Sequence, residues 1–227
     1  MGILIIRNDS FSYFGGRVKA LPLFLVPCYT LFMTKRNLIA FDFDGTLYPI
    51  APYDSEQLLL LQIAREQGVL WKKRTKHLID QDQKGSLSEG AWHQRYGRFI
   101  KRAKPAMVKE VALSLSRHID DETRASLKGL SEHSDLAIIS CGTENLAQLF
   151  LEALELQDYF SLIKAKRIHF SENRVVELEI NISSPKDKAV LIEKLRPSYD
   201  CIVAIGDGPT DIPMLSAADF GLIVDWT

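Results

Sequence analysis

Two aspartates stand two apart in the run Leu38-Ile-Ala-Phe-Asp-Phe-Asp-Gly-Thr-Leu47. A carboxylate inside an apolar run is costly unless it is paired, hydrogen-bonded or bound to a metal. Asp42 and Asp44 therefore call for a partner. Asp-x-Asp-Gly also occurs in solvated turns, but Phe41, Phe43 and Leu47 on either side argue against one. A calcium loop of the EF-hand type fails as well, because its fifth and twelfth positions would be Thr46 and Tyr53. A second acidic stretch is Gly206-Asp-Gly-Pro-Thr-Asp211. Asp207 follows an apolar run, and Asp211 opens a helix, where an acid also suits the dipole. Three or four carboxylates in one place need a cation, and oxygen-only ligands point to Mg2+ rather than zinc or copper. Ser140-Cys-Gly-Thr143 offers a hydroxyl and backbone N–H groups to an anion, and is also ordinary helix-start chemistry. Lys186 and Lys188 sit at the start of a helix, where cations are slightly unfavourable. One of them facing an anionic ligand would account for that, although a lone surface lysine is the plainer reading.

These residues need elements that bring them together. Leu38–Phe43, Leu136–Ser140 and Cys201–Ile205 are near-continuous apolar runs, as strands buried on both faces are. Phe220–Val224 is a fourth. Ala165–Phe170 and Arg174–Ile180 flank Ser171-Glu-Asn173 and read as a hairpin. Helices are expected over 54–67 with Gly68 as stop, near 120–130, 143–156, from Ser183-Ser-Pro185 to about Leu195, and over 211–217. Residues 71–118 are polar, basic and helical in pattern. Strands alternating with helices imply an α/β fold, a doubly wound parallel sheet of the Rossmann-like kind. Ligands there bind at the carboxyl ends of the strands, which is where Asp42, Asp44, Ser140 and Asp207 fall.

With these residues in view, the chain resembles the haloacid dehalogenase (HAD) superfamily, and within it the phosphoserine-phosphatase-like branch. Asp42-Phe-Asp-Gly-Thr-Leu47 matches the family's first motif, Leu136-Ala-Ile-Ile-Ser140 its second, Lys188 with Ala189, Leu191 and Leu195 its third, and Gly206-Asp-Gly-Pro-Thr-Asp-Ile-Pro-Met-Leu215 its fourth. Lys188 fits the third motif better than Lys186. The resemblance spans 37–224 and implies a phosphoric monoester hydrolase. Asp42 would be the nucleophile that forms an aspartyl-phosphate. Asp44 would be the general acid and base. Mg2+ would be held by the Asp42 carboxylate, the Asp44 carbonyl and Asp207, with Asp211 supporting the metal shell or Lys188. Ser140, the Cys141 and Gly142 amides and Lys188 would hold phosphate. Phosphoserine phosphatases carry a glutamate shortly after the first motif to hold the substrate amine. Here Tyr48–Tyr53 contains no acid.

The resemblance also orders the domains. Residues 34–53 and 131–227 are the catalytic core. Residues 54–130, inside the 95-residue gap between Asp44 and Ser140, form a helical cap. Arg95 and Arg98, beside Trp92 and Tyr96, are the cap candidates for reading an acidic substrate. Residues 1–33 are expected to be a poorly ordered extension. Alternatives are a targeting segment, because Arg17 and Lys19 precede an apolar stretch, or a structured part of the fold. Met33 as the true start is compatible with the first. The apolar stretch Leu21–Met33 is about 13 residues, short of the roughly 20 a membrane span needs.

Balanced charge, 28 basic against 29 acidic residues, supplies no global field for nucleic acid or an anionic membrane. Three separated cysteines make neither a disulfide framework nor a zinc pattern, and suit a reducing cytoplasm. The partner expected is a small phosphorylated metabolite, and nothing in the sequence fixes an oligomeric state. A phosphotransferase or phosphomutase on the same core, and a catalytically silent binding protein, are the competing readings.

Overall fold

The apolar run ahead of Asp42 is strand β3 (Arg36–Phe41). It is near-continuously apolar because both of its faces are covered. Ile39 and Phe41 enter one hydrophobic cluster, and Leu38 and Ala40 enter another. The computed structural model describes residues 36–50 and 52–226, together with the backbone of two earlier strands, β1 (Gly2–Arg7) and β2 (Ser10–Phe14).

After β3 come five helices: α1 (Ser55–Gln67), α2 (Val69–Gln83), α3 (Glu89–Ile100), α4 (Pro105–Ser116) and α5 (Asp121–Ser131). Then follow β4 (Ser134–Thr143), α6 (Glu144–Ala153), β5 (Phe160–Ser171) and β6 (Arg174–Ile180). The chain ends with α7 (Pro185–Leu195), β7 (Tyr199–Gly206), α8 (Ile212–Ala217) and β8 (Phe220–Asp225). Asp54 caps α1 by accepting from the Gln57 N–H at 2.7 Å, and Gly68 at φ 89° ends the helix. The polar, basic stretch 71–118 divides into most of α2, all of α3 and α4, and the loops between them.

Among the described residues the strands form one sheet in the order β2-β1-β8-β7-β3-β4-β5-β6. Its centre, β8-β7-β3-β4-β5, is parallel, and β1, β2 and β6 are antiparallel additions at the edges. From β3 the chain moves outward through β4 to β5, then returns to the other side of β3 with β7 and β8. The order therefore reverses between β3 and β7, which is where an open α/β sheet leaves a crevice for a ligand. Residues from α1, α3, α4 and α6 pack with one face, and Ile192, Met214 and Leu215 from α7 and α8 pack on the other. This is the doubly wound α/β architecture expected from the alternation of elements.

Two differences from the sequence reading stand out. Strand β5 starts at Phe160, five residues before the hairpin arm read at Ala165, because its first part pairs in parallel with β4 before the second part turns back with β6. Of the extension read over 1–33, Gly2–Arg7 and Ser10–Phe14 are strands. The first is an apolar, β-branched run that pairs antiparallel with β8. Residues 15–35, with Leu21–Met33 and the alternative start among them, lie outside the described residues.

Candidate active site

Register decides where the chemistry sits. Phe41, the last residue of β3, pairs with Ile138 on one side and Ile205 on the other, and β4 runs on past this level to Thr143. Asp42, whose N–H donates to the Ile205 carbonyl at 2.8 Å, follows at once, and Ser140 and Asp207 stand two residues beyond Ile138 and Ile205. All three line one cavity of about 310 Å3, as do Asp44, Cys141, Gly142 and Lys188.

Lys188 stands one turn into α7. Asp187 fixes the start of that helix by accepting from the N–H groups of Ser183 and Ser184, both at 2.9 Å. The Lys188 ammonium is 1% exposed and bridges Asp42 Oδ1 and Asp211 Oδ1, each at 2.6 Å. Lys186 is exposed, so of the two lysines only Lys188 joins the site. The second Asp211 oxygen accepts from the Asp207 and Gly208 N–H groups, both at 3.1 Å. Asp211 thereby ties the α7 lysine to the β7 turn. The approach is so close that a Cβ on Gly206 would lie 2.4 Å from that of Asp211.

Asp44 is held differently. Its carboxylate accepts from the Ser55 N–H at 2.7 Å, the Ser55 hydroxyl at 3.0 Å and the Tyr48 hydroxyl. The turn after it needs Gly45, at φ 79°, because a Cβ there would collide with Asp207 Oδ2 at 2.2 Å. Trp226 fastens the same turn by donating to the Gly45 carbonyl at 2.5 Å. The Gly142 N–H, read from the sequence as a phosphate donor, here donates to Ser140 Oγ at 3.0 Å.

The electrostatics are those of a site with too few cations. Burial pushes the Asp42 carboxyl up to about 7; Lys188 opposes that rise and Asp211 adds to it. Burial also raises Asp44 against its hydrogen bonds from Tyr48 and Ser55. Asp207 is pushed up to about 6, by burial first and then by Asp211. Burial alone would lower Lys188, but Asp42 and Asp211 outweigh it and hold the ammonium charged. The Cys141 thiol, raised to about 11 by burial, adds no negative charge. Asp42, Asp207 and Asp211 offer oxygens within 4.8 Å of one another. Lys188 and two amides already engage Asp211, so Asp42 and Asp207 are the carboxylates with capacity for a cation. This oxygen-only donor set with excess negative charge fits Mg2+.

A second buried group was not legible in the sequence. Glu56, in the first turn of α1, accepts from Lys166 Nζ at 2.8 Å, Trp92 Nε1 at 3.0 Å and the Thr143 hydroxyl at 2.6 Å. Glu56, Lys166, Trp92 and His93 line the same cavity. Arg95 and Arg98 are not among its lining residues, and Arg95 donates instead to Gln81. Their neighbours on α3, Trp92 and His93, occupy the place expected for them. Trp92 lies with Tyr96 and Ile100, four and eight residues on, along the buried face of α3, which carries neither arginine.

Comparison with known proteins agrees with this geometry. A HAD family hydrolase from Salmonella enterica subsp. enterica serovar Typhi superposes with a TM-score of 0.59 at 23% identity, over 81% of this chain and 60% of its own. A substrate-bound phosphoserine phosphatase superposes with a TM-score of 0.61 at 21% identity, over 83% of this chain and 85% of that one. At such identities these structures establish a shared fold. In sequence, 69 residues are 38% identical to Calcium-transporting ATPase 2 of Saccharomyces cerevisiae, which is 30% of this chain and 6% of that protein. The model of the haloacid dehalogenase-like hydrolases matches residues 37–219, from the first site strand to beyond Asp211, and the chain belongs to that hydrolase family.

Proposed function

We propose that this protein is a magnesium-dependent phosphatase that hydrolyses a small phosphate monoester through an aspartyl-phosphate on Asp42. One observation carries the reading most directly. A buried lysine bridges Asp42, just after β3, and Asp211, at the start of α8, and Lys188, Asp42 and Asp207 line one cavity. A lysine there compensates an anionic ligand as well as the aspartates.

In this reading Lys188 fixes Asp42 Oδ1, so that the carboxylate is oriented to attack phosphorus in line with the departing alcohol. Asp44, oriented by Ser55 and Tyr48, gives a proton to the alcohol oxygen and then takes one from the water that cleaves the acyl phosphate. Ser140 Oγ and the Lys188 ammonium donate to the equatorial phosphoryl oxygens, where transition-state charge is spread. Mg2+ would be held by the Asp42 carboxylate, the Asp44 carbonyl and Asp207, and would supply the positive charge that lets two anions approach. Residues 54–130 act as the cap that excludes water. The protein works on a soluble metabolite in the cytoplasm, a setting in keeping with Cys141 and Cys201 as free thiols.

The test is release of inorganic phosphate from p-nitrophenyl phosphate with Mg2+ present. Rapid acid quenching should trap a phosphoryl group on Asp42, detectable by peptide mass. The Asp42→Asn protein should fold and form no such adduct. Hydrolysis that survives in Asp42→Asn would sink the mechanism. Delivery of the phosphoryl group to an added alcohol in place of water would make the protein a phosphotransferase.

A further inference from the structure

The cavity that holds Asp42 and Lys188 is also lined by Lys166 and Glu56, an ion pair with no task in the chemistry above. Burying a lysine with a glutamate is weak evidence for stability, since desolvation of the two charges offsets most of their attraction. Lys166 is 1% exposed on β5, yet it lines the cavity. Its ammonium has three donors. Among the described residues its hydrogen-bond acceptor is Glu56 Oε2, and its other close neighbour is the Tyr96 ring, 5.3 Å away. Glu56 is in turn fixed by Trp92 and Thr143, so the ammonium is held rigidly at the cavity surface.

The charge around it narrows what it can meet. Glu56 already balances Lys166. Burial and Lys166 hold His93 below the usual histidine range. Asp54, Asp82 and Glu89 also line the cavity. An anionic leaving group would face these carboxylates, and their acceptor oxygens favour donors. A group that accepts from an ammonium and donates to carboxylates is a hydroxyl. Trp92, Leu87 and Ile50 supply apolar surface for its carbon skeleton.

The geometry points to Lys166 as a specificity-determining residue that donates to a hydroxyl of the substrate, whose alcohol part is a neutral polyol. This rests on the phosphatase reading and deepens it. The experiment compares kcat/KM of the full chain, with Mg2+, on propyl, 2,3-dihydroxypropyl, 2-carboxyethyl and 2-aminoethyl phosphates. The dihydroxypropyl ester should lead propyl phosphate by about tenfold or more, because a site built to hydrogen-bond a hydroxyl rejects the analogue that lacks it. Lys166→Met should reduce that ratio about tenfold, mainly through KM. Glu56→Gln/Lys166→Met should do the same and keeps the test usable if an unpaired Glu56 unfolds the single variant. A ratio left unchanged in a folded variant would mean that the pair only clasps α1 and α3 to β5. A wild-type preference for the carboxyl or amino ester would also overturn the inference. Both outcomes leave the phosphatase reading intact, whereas no turnover of any ester would sink that reading and this inference with it.

Discussion

Lys188 and Lys166 are buried to the same degree, each 1% exposed, each hydrogen-bonded to a carboxylate and each lining the same cavity. Their surroundings differ in charge. Lys188 serves Asp42 and Asp211, with Asp207 alongside, so its neighbourhood is left negative. Lys166 serves Glu56 alone, and neutral donors from Trp92 and Thr143 complete that carboxylate. The first arrangement is incomplete without a further cation, whose charge would then let an anionic ligand approach. The second is balanced as it stands and can only add donors. Burial is therefore a poor guide to which lysine takes part in phosphoryl chemistry, and the local count of charges is a better one.

If that contrast holds, removing divalent cations should be the most damaging change. Exhaustive chelation should abolish turnover, and Mg2+ should restore it. Calcium, which prefers a larger and looser shell, should not. Turnover that persists after chelation would refute the metal site. Next in size, Lys188→Met should lower kcat by roughly 10²- to 10³-fold, the loss usual when a charged stabiliser of the transition state is removed.

The two lysines should also separate in stability. Taking one partner from a buried ion pair costs about 3–5 kcal/mol. Lys166→Met should incur a cost of this order with or without Mg2+, because no metal reaches Glu56, and Glu56→Gln/Lys166→Met should recover most of it. Lys188→Met should be destabilised less with Mg2+ than in chelator, since a bound cation also offsets Asp42. Denaturant titration of the three variants, with and without Mg2+, checks both statements. An equal Mg2+ dependence for both lysines would erase the distinction between the two regions.

The same contrast explains what could be read in the sequence. The aspartates after β3 and β7 interrupt apolar runs, so their cost is visible in one dimension. The strand ends could be aligned from topology alone, and the sheet order bears out the doubly wound core. Glu56 gives no such signal, because an acid in the first turn of a helix is favourable without any partner. Lys166 sits in the alternating stretch of β5, where a lysine reads as solvent-facing. Only the tertiary fold reveals that the two meet across 110 positions of sequence. Arg95 and Arg98 were attractive for their charge and their aromatic neighbours. The buried face of α3 carries Trp92, Tyr96 and Ile100 instead.

The smallest expected change in stability concerns Asp207, where activity and stability should move in opposite directions. Asp207→Asn should lose turnover because a metal carboxylate is gone. In chelator the same change should stabilise the fold. The Asp207 carboxyl titrates near 3.8 when unconstrained and is raised to about 6 in the fold, by burial and then by Asp211. Below about pH 4 it is neutral in both states and incurs no penalty. Between 4 and 6 the folded state binds the extra proton, so stability falls as pH rises, and above 6 the penalty is complete. The asparagine protein lacks this contribution and can still accept from Thr46, which reaches Asp207 Oδ1 at 3.3 Å. Its stability relative to the parent should therefore grow from nearly zero at pH 4 to about 1–2 kcal/mol above pH 6, roughly half of the about 3 kcal/mol that a rise from 3.8 to about 6 represents at about 1.4 kcal/mol per unit, because solvent still screens part of this carboxyl. Added Mg2+ should cancel or reverse the advantage, because the parent then gains a bound cation that the variant holds poorly. Denaturant curves in chelator at pH 4, 6 and 8 measure it. A variant less stable than the parent at pH 8 would show that the Asp207 carboxylate is satisfied without a metal, and the charge imbalance that separates the Lys188 region from the Lys166 region would lose its main support.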